Sequence, residues 1–290
     1  TSENTAKIVY NEARPTTPLK AFFFPVKENV VKDMENKQRV ILGVTSCDLE
    51  ALKLMDKIFL DEEFLDVYYK QHRENTILIG TDCHSILDTC HCTAYDLKPV
   101  PKDGHDIRMN LIDSKIIFEP VTEQGGKFLE KVKNQNFFTG DIKLDQDKIK
   151  EKNDAAIAKL KEQNEGLPNS EATRKILLAS QGDDWKKHAK KCVSCGACSA
   201  ICPTCHCFLL IDKKNFEKIK NWDTCQYPAF EKVAAGEDPL SKLYKRLKNR
   251  YMCKYIYKPD MFGEIACTGC GRCIDACIAG INKNEVILNI

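Results

Sequence analysis

Residues 192–207 read CVSCGACSAICPTCHC, six cysteines in sixteen positions. Cys192, Cys195, Cys198 and Cys202 follow the spacing C-x2-C-x2-C-x3-C and are succeeded by Pro203. Cys267, Cys270, Cys273 and Cys277 repeat that spacing nearer the end of the chain. A single CxxC pair often holds zinc. Two complete quartets are a more specific signal, and they point to thiolate-ligated iron–sulfur cubes. The tight C-x2-C-x2-C turn brings three thiolates to three corners of one cube, and the chain then enters a helix that carries the fourth away.

The spacing is that of bacterial two-cluster ferredoxins, in which the fourth cysteine ligates the other cube. The expected ligand sets are therefore Cys192, Cys195, Cys198 and Cys277 for cluster 1, and Cys267, Cys270, Cys273 and Cys202 for cluster 2. Gly196, Gly269 and Gly271 are expected to give the backbone room near sulfide. Ile278 stands where proline would follow Cys277, a change that affects local rigidity rather than ligation. A cluster fully ligated by protein moves electrons and performs no bond chemistry, so no catalytic residue is expected. Lys186, Lys187, Lys190 and Lys191 beside the first quartet read as solvated charges.

Four more cysteines lie early: Cys47, Cys83, Cys90 and Cys92. Cys47 follows the apolar run RVILGV (39–44), read as a buried strand, and Cys83 follows a second run at 77–80. If these strands are parallel neighbours, both thiols emerge at the carboxyl edge of the sheet, where sites in α/β layers gather. A third Fe–S cluster on these four is the leading reading; zinc, a redox disulfide or plain burial are the alternatives. Asp48 is expected to cap a helix over 47–60, making Cys47 a better thiolate than average. His84 and His91 flank these thiols and could substitute as ligands, but they read first as solvated loop residues. Cys205, Cys207, Cys225 and Cys253 read as packing residues beside the clusters.

The supporting elements suggest an α+β protein. An N-terminal α/β domain (1–140) would carry the extra Fe–S site, with a hairpin turning at Asp113-Ser114 and a helix over EQGGKFLEKVK. A charged helical linker (141–182) would follow, including a helix from Asn169 or Ser170. A helical domain (183–290), entered through a helix capped by Asp183, would carry the two [4Fe–4S] clusters, with mostly helical sequence between the quartets. Net charge is +2 over 290 residues, so bulk electrostatics favour neither nucleic acid nor an anionic membrane. No apolar run approaches the roughly 20 residues of a membrane span. Sixteen cysteines without an export signal point to metal or redox work in the cytoplasm.

The ordered series GVTSCDLEALKLMDKIFLDEEFLDVYY, LIGTDC, TCHC, KKCVSCGACSAICPTCHCF, NWDTC and RLKNRYMCKY…FGEIACTGCGRCIDAC resembles one family. It comprises the iron–sulfur electron-transfer subunits of cytoplasmic hydrogenases (sulfhydrogenase beta subunits) together with the corresponding iron–sulfur subunits of anaerobic sulfite reductases. The resemblance runs from about residue 20 to residue 282. It implies a chain seated between one subunit that binds flavin and nicotinamide and another that is catalytic. The family pattern includes cysteines matched by Cys47, Cys83, Cys90 and Cys92, which strengthens the third cluster, and others matched by Cys205, Cys207 and Cys225. Departures fall at Ser46, at His91 and His206, and at Met252-Cys253; none removes a quartet ligand. The N-terminal stretch is short against the family, and a segment preceding Thr1 is expected.

The functional expectation is an electron-transfer subunit of a soluble anaerobic oxidoreductase complex. It would relay electrons through [4Fe–4S] clusters between a flavin/NAD(P)H partner, or a ferredoxin, and a hydrogenase- or sulfite-reductase-like catalytic subunit. No GxGxxG loop is present, so neither flavin nor NAD is expected on this chain. The alternatives are a self-contained reductase with substrate at the early-cysteine centre, and a zinc-stapled scaffold.

Overall fold

The computed structural model describes residues 14–32, 37–112, 115–133 and 145–290. Strand β1 (Lys27–Asn29) is followed by β2 (Arg39–Val44), β3 (Thr76–Thr81), β4 (Ile107–Ile112) and β5 (Lys115–Pro120). The last four form one sheet in the order β2-β3-β4-β5. β2–β3 and β3–β4 pair parallel and β4–β5 antiparallel. Helices α1 (Ser46–Phe59) and α2 (Val67–Glu74) make the crossover from β2 to β3.

The apolar face of α1 supplies Leu49, Leu52, Met55 and Phe59 to a core with Phe23, Phe24, Tyr69 and Leu78. β2, expected to be buried, is an edge strand: Val40 and Leu42 are 45% and 46% exposed. Only one of its faces meets the core, and a run of apolar letters cannot show that. The expected turn at Asp113-Ser114 lies outside the described residues. Helix α3 (Glu123–Lys133) follows the hairpin as expected and packs Leu129 against Ile107 and Met109.

Helix α4 (Gln146–Gln163) departs from the solvated linker expected at 141–182. Ile149, Asn153, Ala156 and Leu160 are buried along one face. The remaining helices are α5 (Ser170–Ala179), α6 (Gly182–Ala189), α7 (Ala197–Ala200), α8 (Leu243–Met252), α9 (Lys258–Phe262), α10 (Arg272–Asp275) and α11 (Lys283–Leu288). Asn169 caps α5 through Ala172 N at 2.9 Å. Gln181 with Asp184, not Asp183, forms the capping box of α6. Trp185, Leu177, Tyr251, Tyr255 and Ile287 centre a second core.

The stretch between the quartets is less helical than expected. β6 (Phe208–Asp212) and β7 (Lys218–Trp222) form an antiparallel hairpin, and YPAFEKVAAG is mostly turns. β1 adds to β7 to give the order β1-β7-β6. This sheet therefore draws a strand from each side of the expected division of the chain. The ring of Trp222 stacks on Phe24 at 5.8 Å, and Lys220 Nζ reaches Asp66 Oδ2 at 2.8 Å. No described helix is long and apolar enough to cross a membrane.

Candidate metal centres

The structure gathers the twelve candidate cysteines around three clefts. Cys192, Cys195, Cys198 and Cys277 line the first, of about 540 Å³, together with Cys273. Cys202, Cys267, Cys270 and Cys273 line the second, of about 310 Å³. Cys47, Cys83, Cys90 and Cys92 line the third, of about 390 Å³, with Cys270 on its wall. Cys277 thus faces the cleft of the first quartet and Cys202 that of the second. The short helices α7 and α10 explain this, since one helical turn separates Cys198 from Cys202 and Cys273 from Cys277 and moves each fourth thiol about 6 Å along. Parallel pairing of β2 and β3 brings Cys47 and Cys83 out at one sheet edge.

The chemistry around the clefts fits a resident anion. Arg250, Lys254 and Lys283 are buried, and among the described residues their donors reach no carboxylate. Arg250 Nη2 donates to Cys198 O at 2.9 Å. Lys254 Nζ donates to Thr204 Oγ1 at 2.8 Å and Ala266 O at 3.3 Å. Lys283 Nζ donates to the hydroxyls of Tyr95 and Tyr255 at 2.9 and 2.5 Å. Arg250 and Lys283 line both the first and second clefts, and Lys254 lines the second. Burial pushes both lysines down, but nearby thiol charge outweighs it and holds them up, with Cys202 foremost for Lys254 and Cys267 for Lys283. Buried cations without partners are costly; four thiolates around an iron–sulfur cube supply the missing negative charge. A single zinc ion would need its donors within about 2.3 Å of one centre. Among the described residues no three His, Cys, Asp or Glu side chains converge in that way.

A family model described as a 4Fe-4S dicluster domain matches residues 191–281. Over 287 aligned positions the chain is 29% identical to sulfhydrogenase 2 subunit beta of Pyrococcus furiosus, covering 94% of this chain and 83% of that protein. The chain is similar to that sulfhydrogenase beta subunit along nearly all of its length. No solved structure matches it. Its dicluster segment makes it an iron–sulfur electron-transfer protein, and the resemblance carried by the motif series holds along nearly the whole chain.

Several residues of the chain behave differently from the sequence reading. Asp48 does not cap α1, whose N-cap is Thr45; its carboxylate instead pairs with Arg272. Cys47 is not an activated thiol: burial, then Asp48, push it up to about 12. Burial likewise pushes Cys92 up to about 12 and Cys83 to about 11, so metal binding at the third cleft must displace protons. His91 is buried rather than solvated, with Nδ1 2.8 Å from Thr89 O and Nε2 4.0 Å from Cys267 Sγ. His84 Nε2 meets Asn153 Oδ1 on α4 at 2.7 Å.

The glycines serve the contact between cysteine loops. Gly269 and Gly271 have φ of +65° and +74°. A Cβ at Gly269 would stand 2.4 Å from the backbone of Cys92, and one at Gly271 2.4 Å from Thr89 O. The loop of Cys90 and Cys92 thus lies directly on the second quartet, and His91 N donates to Gly269 O at 2.7 Å. From the other side, α4 holds that loop, with Gln163 Nε2 donating to the carbonyls of Leu87, Asp88 and Cys90. Sequence reasoning missed the basic ladder Arg246, Arg250, Lys254 and Lys258, all buried. Its signal was present: four cations at intervals of four residues on one helical stretch, a spacing that aligns them on one face.

Proposed function

We propose that this chain relays electrons through three [4Fe–4S] clusters arranged in series. Cys192, Cys195, Cys198 and Cys277 hold the first, Cys267, Cys270, Cys273 and Cys202 the second, and Cys47, Cys83, Cys90 and Cys92 the third. The observation that carries this reading is the sharing of walls: Cys273 borders the first and second clefts, and Cys270 the second and third. When bound, such clusters supply one-electron transfer. The protein's part is to hold them in contact, exclude water with the α4 and α8 faces, and set their charge balance with Arg250, Lys254 and Lys283.

On this reading the chain sits between a flavin/NAD(P)H-binding subunit, or a ferredoxin, and a catalytic oxidoreductase subunit in a cytoplasmic complex. The relative's name supports a subunit role. So does β6, an edge strand whose Phe208, Leu209, Leu210 and Ile211 are all exposed, since an open apolar edge calls for a covering partner. Four thiols at the third cleft complete the ligand set of a cube and leave no position for substrate, which favours a relay over a self-contained reductase.

The test is anaerobic purification with iron and acid-labile sulfide analysis. Each cube contributes four irons, so Cys83→Ser/Cys92→Ser should lose about four relative to the wild type. A colourless, iron-free chain, or reductase turnover by the isolated protein, would overturn the relay.

A further inference from the structure

Cys205, Cys207, Cys225 and Cys253 lie outside the three sets above. The β6–β7 hairpin carries Cys207 just ahead of one strand and Cys225 just past the end of the other. Its register sets Phe208 opposite Trp222, and pairing continues one step beyond, where Asp223 N donates to Cys207 O at 2.9 Å. Cys253 comes from another segment and opens the π-helical turn Cys253–Tyr257; such turns are frequent at functional sites. The thiols of Cys225 and Cys253 are the neighbouring thiols of Cys207.

A cavity of about 300 Å³ opens on Cys205 and Cys207, walled by Lys20, Trp222 and Thr224, with Cys225 and Cys253 outside its lining. Its volume matches the roughly 310 Å³ of the second cleft. Lys20 and Lys258 are buried here. Lys20 Nζ donates to Cys205 O at 2.8 Å, and Lys258 Nζ donates to Thr204 O at 2.5 Å and approaches His206 Nδ1 at 2.8 Å. Among the described residues neither ammonium reaches a carboxylate. Lys20 Nζ also lies 4.1 Å from the centre of the Trp222 ring; thiolates ligating a cluster here would add negative charge beside both ammonium groups that neutral buried cysteines do not supply.

We propose that Cys205, Cys207, Cys225 and Cys253 hold a fourth iron–sulfur cluster, of the [4Fe–4S] type, beside the dicluster pair. Cys205 lies against Cys202 of the second set, and Cys225 lies near Cys198 of the first. The centre therefore borders both cubes, and it stands at the root of the exposed strand β6, next to Phe208. It would be a branch through which a partner covering that strand exchanges electrons with the relay. The inference extends the relay reading but does not depend on the third cluster.

The experiment uses the full chain reconstituted anaerobically with iron and sulfide, followed by iron, zinc and sulfide analysis and EPR of the reduced protein. Cys207→Ser/Cys225→Ser should lose about four irons and four sulfides per chain, with zinc unchanged. Cys83→Ser/Cys92→Ser, measured in parallel, reads only the third centre, so failure of either assignment is seen separately. Retention of wild-type iron by Cys207→Ser/Cys225→Ser, or loss of zinc instead of iron, would overturn the fourth cluster. If that variant does not fold, anaerobic alkylation of the loaded wild type decides. Cys207 and Cys253 should resist iodoacetamide until iron is chelated, and their modification in the loaded chain would refute the site.

Discussion

Arg272 and Asp48 form a bidentate ion pair, Nη1–Oδ1 3.0 Å and Nη2–Oδ2 2.5 Å, with side chains 1% and 2% exposed. Asp48 adjoins Cys47 at the start of α1, and Arg272 lies between Cys270 and Cys273. The pair therefore fastens the third cleft to the second across more than two hundred residues of sequence. Asp48→Asn would leave Arg272 charged and buried, a loss of about 3–5 kcal/mol when a buried pair is broken on one side. The expected result is a thermal midpoint well below that of the wild type and loss of the third centre's iron before that of the other two. Equal stability, measured by anaerobic thermal denaturation, would show that the pair does not hold the clefts together.

How much of this site was open to reading depended on whether its causes were local. The quartets declare themselves because a cube demands fixed spacing, and the sheet edge holding Cys47 and Cys83 follows from two strand-like runs and a helical period. Asp48 shows the limit: next to a helix start it reads as a cap, but a guanidinium distant in sequence claims it. The β1-β7-β6 sheet was hidden for a related reason. FLLID and KIKNW are short, and β1 is only three residues, so pairing partners rather than propensity define these strands. α4 buries only one residue in three or four, and Asn153 and Ala156 among them carry little hydropathy, so its packing was masked by its charge.

The proposed exchange of fourth ligands has a spectroscopic consequence. Cys277 belongs by sequence to the second quartet but faces the cleft of Cys192, Cys195 and Cys198. Cys277→Ser should therefore alter the same EPR signal as Cys192→Ser, and Cys202→Ser the same signal as Cys267→Ser. The opposite pairing of signals would mean that each quartet closes on its own cube.

Strand β1 is pinned electrostatically. Glu28 Oε1 meets His72 Nε2 at 2.8 Å, and Lys220 Nζ stands 3.0 Å from Glu28 Oε2, an ion contact without hydrogen-bond geometry. Burial works to raise the Glu28 carboxyl, but His72 and Lys220 together hold it below its ordinary value. A depressed carboxyl stabilises the fold above its unfolded pKa, near 4.5, and loses that contribution as pH falls through the lower folded value. Glu28→Gln should thus lower the thermal midpoint at pH 7, and the gap to the wild type should narrow as pH falls through 4.5 and below. A gap independent of pH would remove the ion contacts as its cause.

Lys283 lies at the boundary of the first two clefts, buried and, among the described residues, hydrogen-bonded to the hydroxyls of Tyr95 and Tyr255. Reduction of either cube adds negative charge that this ammonium stabilises, so its removal disfavours the reduced state. At an effective dielectric constant of about 20 and a separation of roughly 7 Å, the interaction is on the order of 2 kcal/mol. At 59 mV per tenfold change for one electron, screening and relaxation leave a drop of about 50–100 mV. Lys283→Met preserves the length of the stem, and redox titration followed by EPR should find one or both of these potentials lowered by that amount. Surface lysines give the control: Lys186, paired with Asp183 at the protein surface, should leave the potentials within about 10 mV when replaced, because exposed charges are screened. An unchanged potential in Lys283→Met would mean that the charge is neutralised by something other than the clusters, and the case for the cations as their counter-charge would fail with it.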